Sequence, residues 1–203
     1  LTSGQYFLTT HPTVPVKTAK QFIALVKGRP GQVTFASSGN GSANHLAGVL
    51  FQHMTGTKMI HVPYKGAGPA GVALLGGEID FMFSNVASAI PYVQSGKLRA
   101  IAATGEKRSS VAPDVPTIAE SAVPGFVVTG FTLLMAPAGT PRDIVARLGE
   151  ALRQALATPE IRQRMVSQGA DPAFLGPDDF ARFLANEMPR WATVVQKSGA
   201  RLD

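Results

Sequence analysis

The chain has 203 residues, of which 45% are hydrophobic and 16% charged, a composition typical of a globular protein with one large domain or two lobes. It contains no cysteine, which excludes disulfides, thiolate metal sites and cysteine nucleophiles. The formal net charge is +6, and residues 1–125 hold ten Lys and Arg against five Asp and Glu. The lysines are scattered, without an arginine cluster or interleaved aromatics, so the charge favours a small anionic ligand over nucleic acid, with a solvated basic surface as the alternative.

The apolar stretches, such as residues 131–138, are too short to span a membrane. No basic and then apolar leader opens the chain at Leu1. We expect either a cytosolic protein or one whose leader has been left out of this sequence.

Strands and helices are predicted to alternate along residues 5–103. The predicted strands are 5–9, 32–36, 59–62, 79–83 and 98–103. The predicted helices are 19–26, 42–54, 69–75 and 86–94. This order is typical of an α/β fold with a mostly parallel sheet covered by helices.

The rest of the chain has a different pattern. Residues 109–125 contain three prolines and a glycine, which indicates a linker or a crossing between lobes. Residues 126–135 are an apolar run expected to form a strand buried on both faces, followed by helices at 142–157, 159–168 and 177–197. Only residues 171–175 offer a second strand, so this part is predicted to be incomplete by itself.

One glycine-rich stretch, FASSGNGSANHLAGVLF at residues 35–51, joins a predicted strand to a predicted helix. It lacks the lysine of a phosphate-binding Walker loop, the third glycine of the dinucleotide fingerprint and the flanking glycines of a nucleophile elbow. A helix N-terminus with hydroxyls and free backbone N–H groups remains, which favours an anion site over an ordinary glycine-rich turn. The residues assigned to that site are Ser38, Gly39, Asn40, Gly41 and Ser42.

Two further loops follow predicted strand ends in the same way. Tyr64, Lys65 and Gly66 supply an aromatic ring, a cation and a glycine, and Asn85 follows the next strand. Because ligands of open α/β sheets bind at the carboxyl ends of the strands, the three loops are predicted to form one face of a cleft.

Catalytic and metal-binding patterns are missing from the sequence. His45, His53 and His61 do not have the spacing of a metal site, and His45 is expected to pack or to form a hydrogen bond. Glu78 and Asp80 fit an exposed rim better than an acid–base pair. We therefore expect no metal, no cofactor and no enzymatic activity.

The sequence resembles the Bug family of solute receptors, the periplasmic binding proteins of tripartite tricarboxylate transporters. The resemblance covers nearly the whole chain. It is carried by HPTVPVKTAKQFIALVKGRPGQVTFASSGNGSANHLAGVLFQHMTG, HVPYKGAGPAGVALLGGEIDFMFSN, SGKLRAIAATGEKRS, PDVPTIAES, MAPAGTPRDIVARL and WATVVQKSGARLD.

The resemblance implies a two-lobed venus-flytrap architecture. Residues 9–125 are expected to form a complete middle lobe, residues 1–8 a strand crossing from the first lobe, and residues 126–203 the C-terminal part of that first lobe. The family's opening portion, with its own glycine-rich carboxylate loop, is not in this sequence.

The implied function is that of a non-catalytic periplasmic receptor, which binds a small carboxylate and delivers it to membrane transporter subunits. Two alternatives are an enzyme acting on small acids and a truncated, self-associating remnant. A homodimer through the incomplete lobe is a further expectation.

Two positions depart from the family pattern. Ser84 stands where the family usually has Asp before Asn, and Gly130-Phe131 stands where it often has Ser-Trp. An Asp would favour a ligand with an amine or hydroxyl donor, so its absence favours a purely anionic or aromatic acid over an amino acid.

Overall fold

The computed structural model describes residues 2–167 and 170–199. Its strands are β1 (Thr2–Thr10), β2 (Thr34–Ser37), β3 (Ile60–Pro63), β4 (Phe81–Asn85), β5 (Arg99–Ala103), β6 (Thr129–Thr132) and β7 (Asp171–Pro172). Its helices are α1 (Ala19–Gly28), α2 (Ala43–Thr55), α3 (Ala67–Leu75), α4 (Val86–Gln94), α5 (Ile118–Ser121), α6 (Arg142–Ala157), α7 (Pro159–Ser167) and α8 (Pro177–Ser198). The predicted helix end at residue 168 and the last four residues of the final matching stretch lie outside the described residues.

The main sheet has the strand order β3-β2-β4-β1-β5. β2 pairs in parallel with β3 and with β4, whereas β1 pairs antiparallel with both β4 and β5. The four strands other than β1 therefore point the same way. The prediction of a mostly parallel sheet holds for β3, β2 and β4, whereas the main sheet as a whole is mixed, with two parallel and two antiparallel pairings. The single reversed strand lies inside the sheet, between β4 and β5.

β1 is long enough to take part in two sets of pairs. Tyr6 to Thr10 pair with β4, while Thr2 to Gln5 pair with β6 and Thr2 and Ser3 also pair with β7. This strand therefore connects the main sheet to the C-terminal part of the chain. The residue at which one lobe ends and the other begins stays a prediction.

An aromatic core fills the face of the sheet that α1 and α2 cover. Six phenylalanines are fully buried there: Phe22, Phe35, Phe51, Phe81, Phe83 and Phe126. The rings of Phe22 and Phe81 meet edge to face, with centroids 4.8 Å apart. A second apolar cluster, which includes Ala70 and Leu74 of α3, covers the opposite face. The edge-to-face contacts and the complete burial of these rings stabilise the sheet, and the loops at the ends of its strands are held in place with it.

The C-terminal part differs from its prediction. The expected strand at residues 126–135 is only four residues long, and it is not buried on both faces. Between β6 and α6 the chain is irregular, and Leu134 and Met135 are 58% and 74% exposed. The strand is short because, within the described residues, β6 pairs only with β1.

The last helix returns to the main sheet. Val194 of α8 is buried and Trp191 packs against the phenylalanine core, while the Arg190 guanidinium donates to the Val127 carbonyl. Among the described residues, none of the helices is both long and apolar enough to cross a membrane.

Candidate functional site

The glycine-rich loop lies between the end of β2 at Ser37 and the start of α2 at Ala43. Gly39 and Gly41 have positive φ angles of 134° and 73°, a backbone region that side chains other than glycine rarely adopt. The two glycines let the chain turn tightly from strand to helix. The loop is not buried under another segment, since Asn40 and Gly41 are exposed.

The expectation that this loop offers a row of free N–H groups is wrong at three positions. The Gly39 N–H donates to Ser37 Oγ at 3.1 Å, the Gly41 N–H to His45 Nδ1 at 3.1 Å, and the Ser42 N–H to the Gly39 carbonyl at 3.2 Å. The loop needs these donors for its own conformation. Of the four amides from Gly39 to Ser42, only that of Asn40 has no partner among the described residues.

Unpartnered backbone donors occur one step later, at the first turn of α2. The first backbone hydrogen bond of the helix runs from the Leu46 N–H to the Ser42 carbonyl. The N–H groups of Ala43 and Asn44 have no acceptor in the described part of the chain. These are the orphan donors of a helix N-terminus, which attract anions together with the helix dipole.

Asn44 organises the loop, a role that the sequence reasoning missed. Its Oδ1 atom lies within hydrogen-bond reach of four donors: the Ser38 N–H at 3.2 Å, the Ser38 hydroxyl at 3.1 Å, the Ser42 hydroxyl at 2.6 Å and the His45 N–H at 3.2 Å. The Ser42 hydroxyl has one hydrogen and also lies 2.6 Å from the Gly39 carbonyl. An Asn at the second position of a helix that follows a serine-rich loop could have indicated this role, because its short side-chain amide can accept hydrogen bonds from the donors of the loop.

His45 and His61 form a stacked pair next to the loop. Their ring centroids are 3.8 Å apart and their planes differ by 13°. His45 Nδ1 accepts from the Gly41 N–H, which confirms the expected hydrogen-bonding role, and His61 Nε2 lies 2.5 Å from Ser37 Oγ. Burial lowers the pKa of His45, and burial together with the neighbouring His45 lowers the pKa of His61 to about 4. Both imidazoles are therefore neutral at pH 7 and hold the loop through uncharged contacts.

The second loop runs alongside the first. The Tyr64 N–H donates to the Ser37 carbonyl at 3.0 Å and the Gly66 N–H to the Ser38 carbonyl at 3.2 Å. Tyr64 packs against the apolar cluster under α3, whereas Lys65 is exposed and forms no ion pair with any described residue. Gly66 precedes α3 with a φ of 111°.

The third loop is short, because α4 begins directly after β4. Asn85 caps α4 by accepting the Ala87 N–H at 3.0 Å. Ser84 is buried, and its hydroxyl lies 2.5 Å from the Thr9 hydroxyl of β1. Neither Ser84 nor Asn85 is acidic, so these two residues place no carboxylate at this strand end.

A groove with a volume of about 380 Å³ lies between α3 and α4 at the carboxyl ends of β2 and β4. Of the nine predicted site residues, Ser38 and Asn85 line this groove. Asn40 lines a different cavity of about 640 Å³, which also contains His45 and His61. The structure therefore brings the three loops to one edge of the sheet, but three of the nine predicted residues are divided between two cavities and the other six line neither of them.

In residues 2–167 and 170–199, no three His, Asp or Glu side chains are grouped so that they could hold a metal ion. Asp80 lies at the amino end of β4, where its carboxylate accepts from the Thr34 N–H at 2.7 Å and from the Thr34 hydroxyl at 2.9 Å. This contact joins β2 to β4 at the edge opposite the loops.

Comparison with known proteins identifies the relatives of this chain. BugT of Bordetella pertussis is 40% identical over 195 residues, which are 96% of this chain and 60% of BugT. Among solved structures, R. palustris Rpa4515 with adipate has a TM-score of 0.90 and 30% identity, covering 98% of this chain and 67% of that one. MatC from Rhodopseudomonas palustris with bound malate has a TM-score of 0.84 and 33% identity, covering 96% and 67%.

A third structure, the periplasmic binding protein BugD, has a TM-score of 0.87 and 30% identity, and the match covers 98% of this chain and 68% of BugD. These similarities confirm the expected α/β periplasmic-binding-protein fold. The chain spans about 60% of the length of BugT. The sequence pattern of the TctC family, the tripartite tricarboxylate transporter family receptor, matches residues 1–200 of this chain. The family consists of receptors, which agrees with the expectation that the chain is not an enzyme. The chain therefore belongs to the TctC family of tripartite tricarboxylate transporter receptors, and its predicted kinship with the Bug receptors is confirmed.

Proposed function

We propose that this protein is a periplasmic receptor that binds a small carboxylate and delivers it to the membrane subunits of a tripartite tricarboxylate-type transporter. Membership of the TctC family supports the receptor role. The solved relatives with adipate and with malate support a carboxylate as the ligand, and the periplasmic relative BugD supports the location.

The observation that carries the proposal is the convergence of three helix N-termini at one edge of the sheet. Because β2, β3 and β4 are parallel, α2, α3 and α4 all begin at the same edge. Each N-terminus carries a partial positive charge of about half an elementary charge. None of residues 38–42, 64–66 and 84–85 is acidic, and Lys65 adds a full positive charge. This arrangement attracts an anion, and these residues offer no negative charge that could pair with the amine of a ligand.

The nine predicted residues are retained as the proposed ligand-binding set, with roles adjusted to their hydrogen bonds. Ser38 and Asn85 line the groove, and Asn40 offers its unpartnered N–H. Tyr64 and Lys65 border the loop from the neighbouring strand end. The glycines and the Ser42 hydroxyl serve mainly to hold the loop, because their polar groups already have partners.

A partner for the C-terminal part completes the proposal. Large apolar side chains of β6, α6, α8 and the neighbouring segments remain exposed: Phe131, Leu134, Met135, Ile144, Leu148, Leu175 and Met188. We infer that they form an interface. Either a further segment of the protein or a second copy of the chain covers them.

The test of the proposed function is titration calorimetry of the full chain with a panel of mono-, di- and tricarboxylates and the corresponding uncharged amides. We expect binding of at least one acid and no binding of its amide. Lys65→Ala should weaken the binding by about two- to fivefold at low salt, equivalent to about 0.5–1 kcal/mol for an exposed charge, and the difference should shrink at high salt.

Lys58→Ala is the matched control, because Lys58 is equally exposed and precedes β3 at the opposite edge of the sheet. It should leave the affinity unchanged. The proposed function is wrong if no acid binds, or if the amides bind as well as the acids.

A further inference from the structure

The groove between α3 and α4 extends away from the loops along both helices. Gly68, Gly71 and Leu75 line it from α3, and Ser88 and Tyr92 line it from α4. With a rise of 1.5 Å per residue, the distance from Gly68 to Leu75 is about 10 Å. No charged side chain lines the groove along this length.

Gly68 and Gly71 leave open space in the wall of the groove. Gly68 stands before Pro69, where a Cβ atom disfavours the helical conformation, whereas at Gly71 the described part of the chain gives no steric reason for glycine. A Cβ atom added at Gly68 or at Gly71 would meet nothing within 4 Å, and both residues have ordinary helical φ angles. Glycine inside a helix is less stable than alanine, so an unconstrained helix would favour alanine at position 71. The open space is therefore a feature of the groove and not a consequence of packing.

Asn44 gives independent evidence of a ligand at the inner end of this groove. The residue lines the groove and is only 6% exposed. Four donors surround one terminal atom of its side chain, which identifies that atom as the oxygen and leaves the amide nitrogen on the other side. That Nδ2 group has no partner among the described residues and is not fully shielded from solvent. A nearly buried amide with unused donors normally has an acceptor.

We propose that Asn44 binds the carboxylate of the ligand through Nδ2 and that the groove between α3 and α4 holds the ligand's body. This inference rests on the proposed function and narrows its substrate class. The body that fits is mainly an aliphatic or aromatic hydrocarbon, because most of the lining is apolar and no side chain in it is charged. The polar groups of the lining are those of its serine, asparagine and tyrosine side chains. Val72 and Tyr92, which are exposed at the edge of the groove, lose contact with water when that body is in place.

The experiment measures the affinity of the full chain for straight-chain monocarboxylates from butanoate to octanoate. Burial of a methylene group contributes enough free energy to raise the affinity by about two- to fourfold for each carbon added. We expect this rise to continue until the chain reaches the outer end of the groove.

Three variants separate the two parts of the site. Gly71→Leu should remove the dependence on chain length, whereas Gly28→Leu, in a helix with equally open space, should behave as the wild type. Asn44→Asp keeps the oxygen that the loop donors need but replaces the amide by a carboxylate oxygen. This variant should weaken the binding of every acid by at least about tenfold. Circular dichroism melting curves check that each variant is folded, and Gly71→Ala provides a smaller replacement if Gly71→Leu does not fold.

The outcomes distinguish this inference from the proposed function. If acids bind but the affinity is independent of chain length, or if the Gly71 variants retain the wild-type dependence, the groove does not hold the ligand and the receptor function stands. Unchanged affinity in Asn44→Asp removes Asn44 from the site. If the wild type binds no acid at all, both proposals are wrong.

Discussion

Acidification should destabilise this protein through the stacked pair His45 and His61. The folded state lowers the pKa of His61 to about 4 from the ordinary value of 6.5, mainly through burial and additionally through the neighbouring His45. The pKa of His45 is lowered by burial as well. Between pH 6.5 and pH 4 the unfolded chain therefore binds protons that the folded chain does not. The free energy of unfolding is highest above pH 6.5 and decreases as the pH falls through this window.

The size of the effect follows from the pKa of His61. One pKa unit is equivalent to about 1.4 kcal/mol, so the lowering from 6.5 to about 4 corresponds to about 3 kcal/mol without solvent screening. The ring is only half-buried, and we expect about half of that value, roughly 1.5 kcal/mol, with a smaller contribution from His45 in the same direction. Protonated His45 would also place a hydrogen on Nδ1, against the Gly41 N–H, and so disrupt the glycine-rich loop.

Urea unfolding at pH 7.5, 6, 5 and 4.5 measures this dependence, and His61→Gln serves as the comparison because its amide reaches about as far as Nε2 but does not titrate. The variant should be less stable at pH 7.5 and should lose less stability on acidification than the wild type. An NMR titration of the histidine ring protons should show both pKa values below 6.5. Wild-type stability that is constant from pH 7.5 to 4.5, or an equal decrease in His61→Gln, would refute this account of the pair.

Two further outcomes follow from the packing. Gly48→Ala should destabilise the fold by about 1–3 kcal/mol in urea unfolding, because the new Cβ would lie 2.4 Å from the fully buried ring of Phe35. Gly71→Ala should stabilise the fold by about 0.5–1 kcal/mol, because a Cβ there meets nothing within 4 Å and alanine favours a helix more than glycine does. Equal stability of the two variants would contradict the packing described. Residues 1–203 expressed alone should self-associate in multi-angle light scattering, because the apolar face of the C-terminal part is uncovered; a well-ordered, monodisperse monomer would refute that expectation.

The elements around the loops could be predicted from the sequence because local patterns determine them. The predicted helix at residues 42–54 is α2, shifted by one residue, and the predicted helix at residues 86–94 coincides with α4. The reversed position of β1 could not be predicted, since its partners are more than 70 residues away in the chain and nothing local encodes their direction. The exposure of β6 could not be predicted either. Its apolar composition predicted burial on both faces, whereas the described residues leave most of this strand exposed.

The candidate site was predicted at the level of loops but not at the level of atoms. Sequence spacing places a loop at a helix N-terminus, yet it does not show which donors the loop consumes in its own turn. The Gly41 N–H is an example, because its acceptor is a histidine ring four residues later whose position depends on stacking against His61. Asn44 was missed for a related reason. The role of Asn44 depends on four donors that come together around its side-chain oxygen only after the chain has folded.

The paired donors make the loop a better candidate site, because they make it rigid before any ligand arrives. A loop that ordered itself only around a carboxylate would reduce the affinity by the entropy of that ordering. Here the Ser37 hydroxyl, His45 and the Asn44 oxygen fix the backbone. The groups left without a partner among the described residues are the N–H groups of Asn40, Ala43 and Asn44 and the Asn44 side-chain amide. Changes to the supporting contacts should therefore reduce stability and affinity together, whereas changes in the groove should reduce affinity without reducing stability. The histidine pair belongs to the first group and Gly71 to the second, so measuring unfolding and binding on the same variants tests whether the frame and the site are separate parts of the molecule.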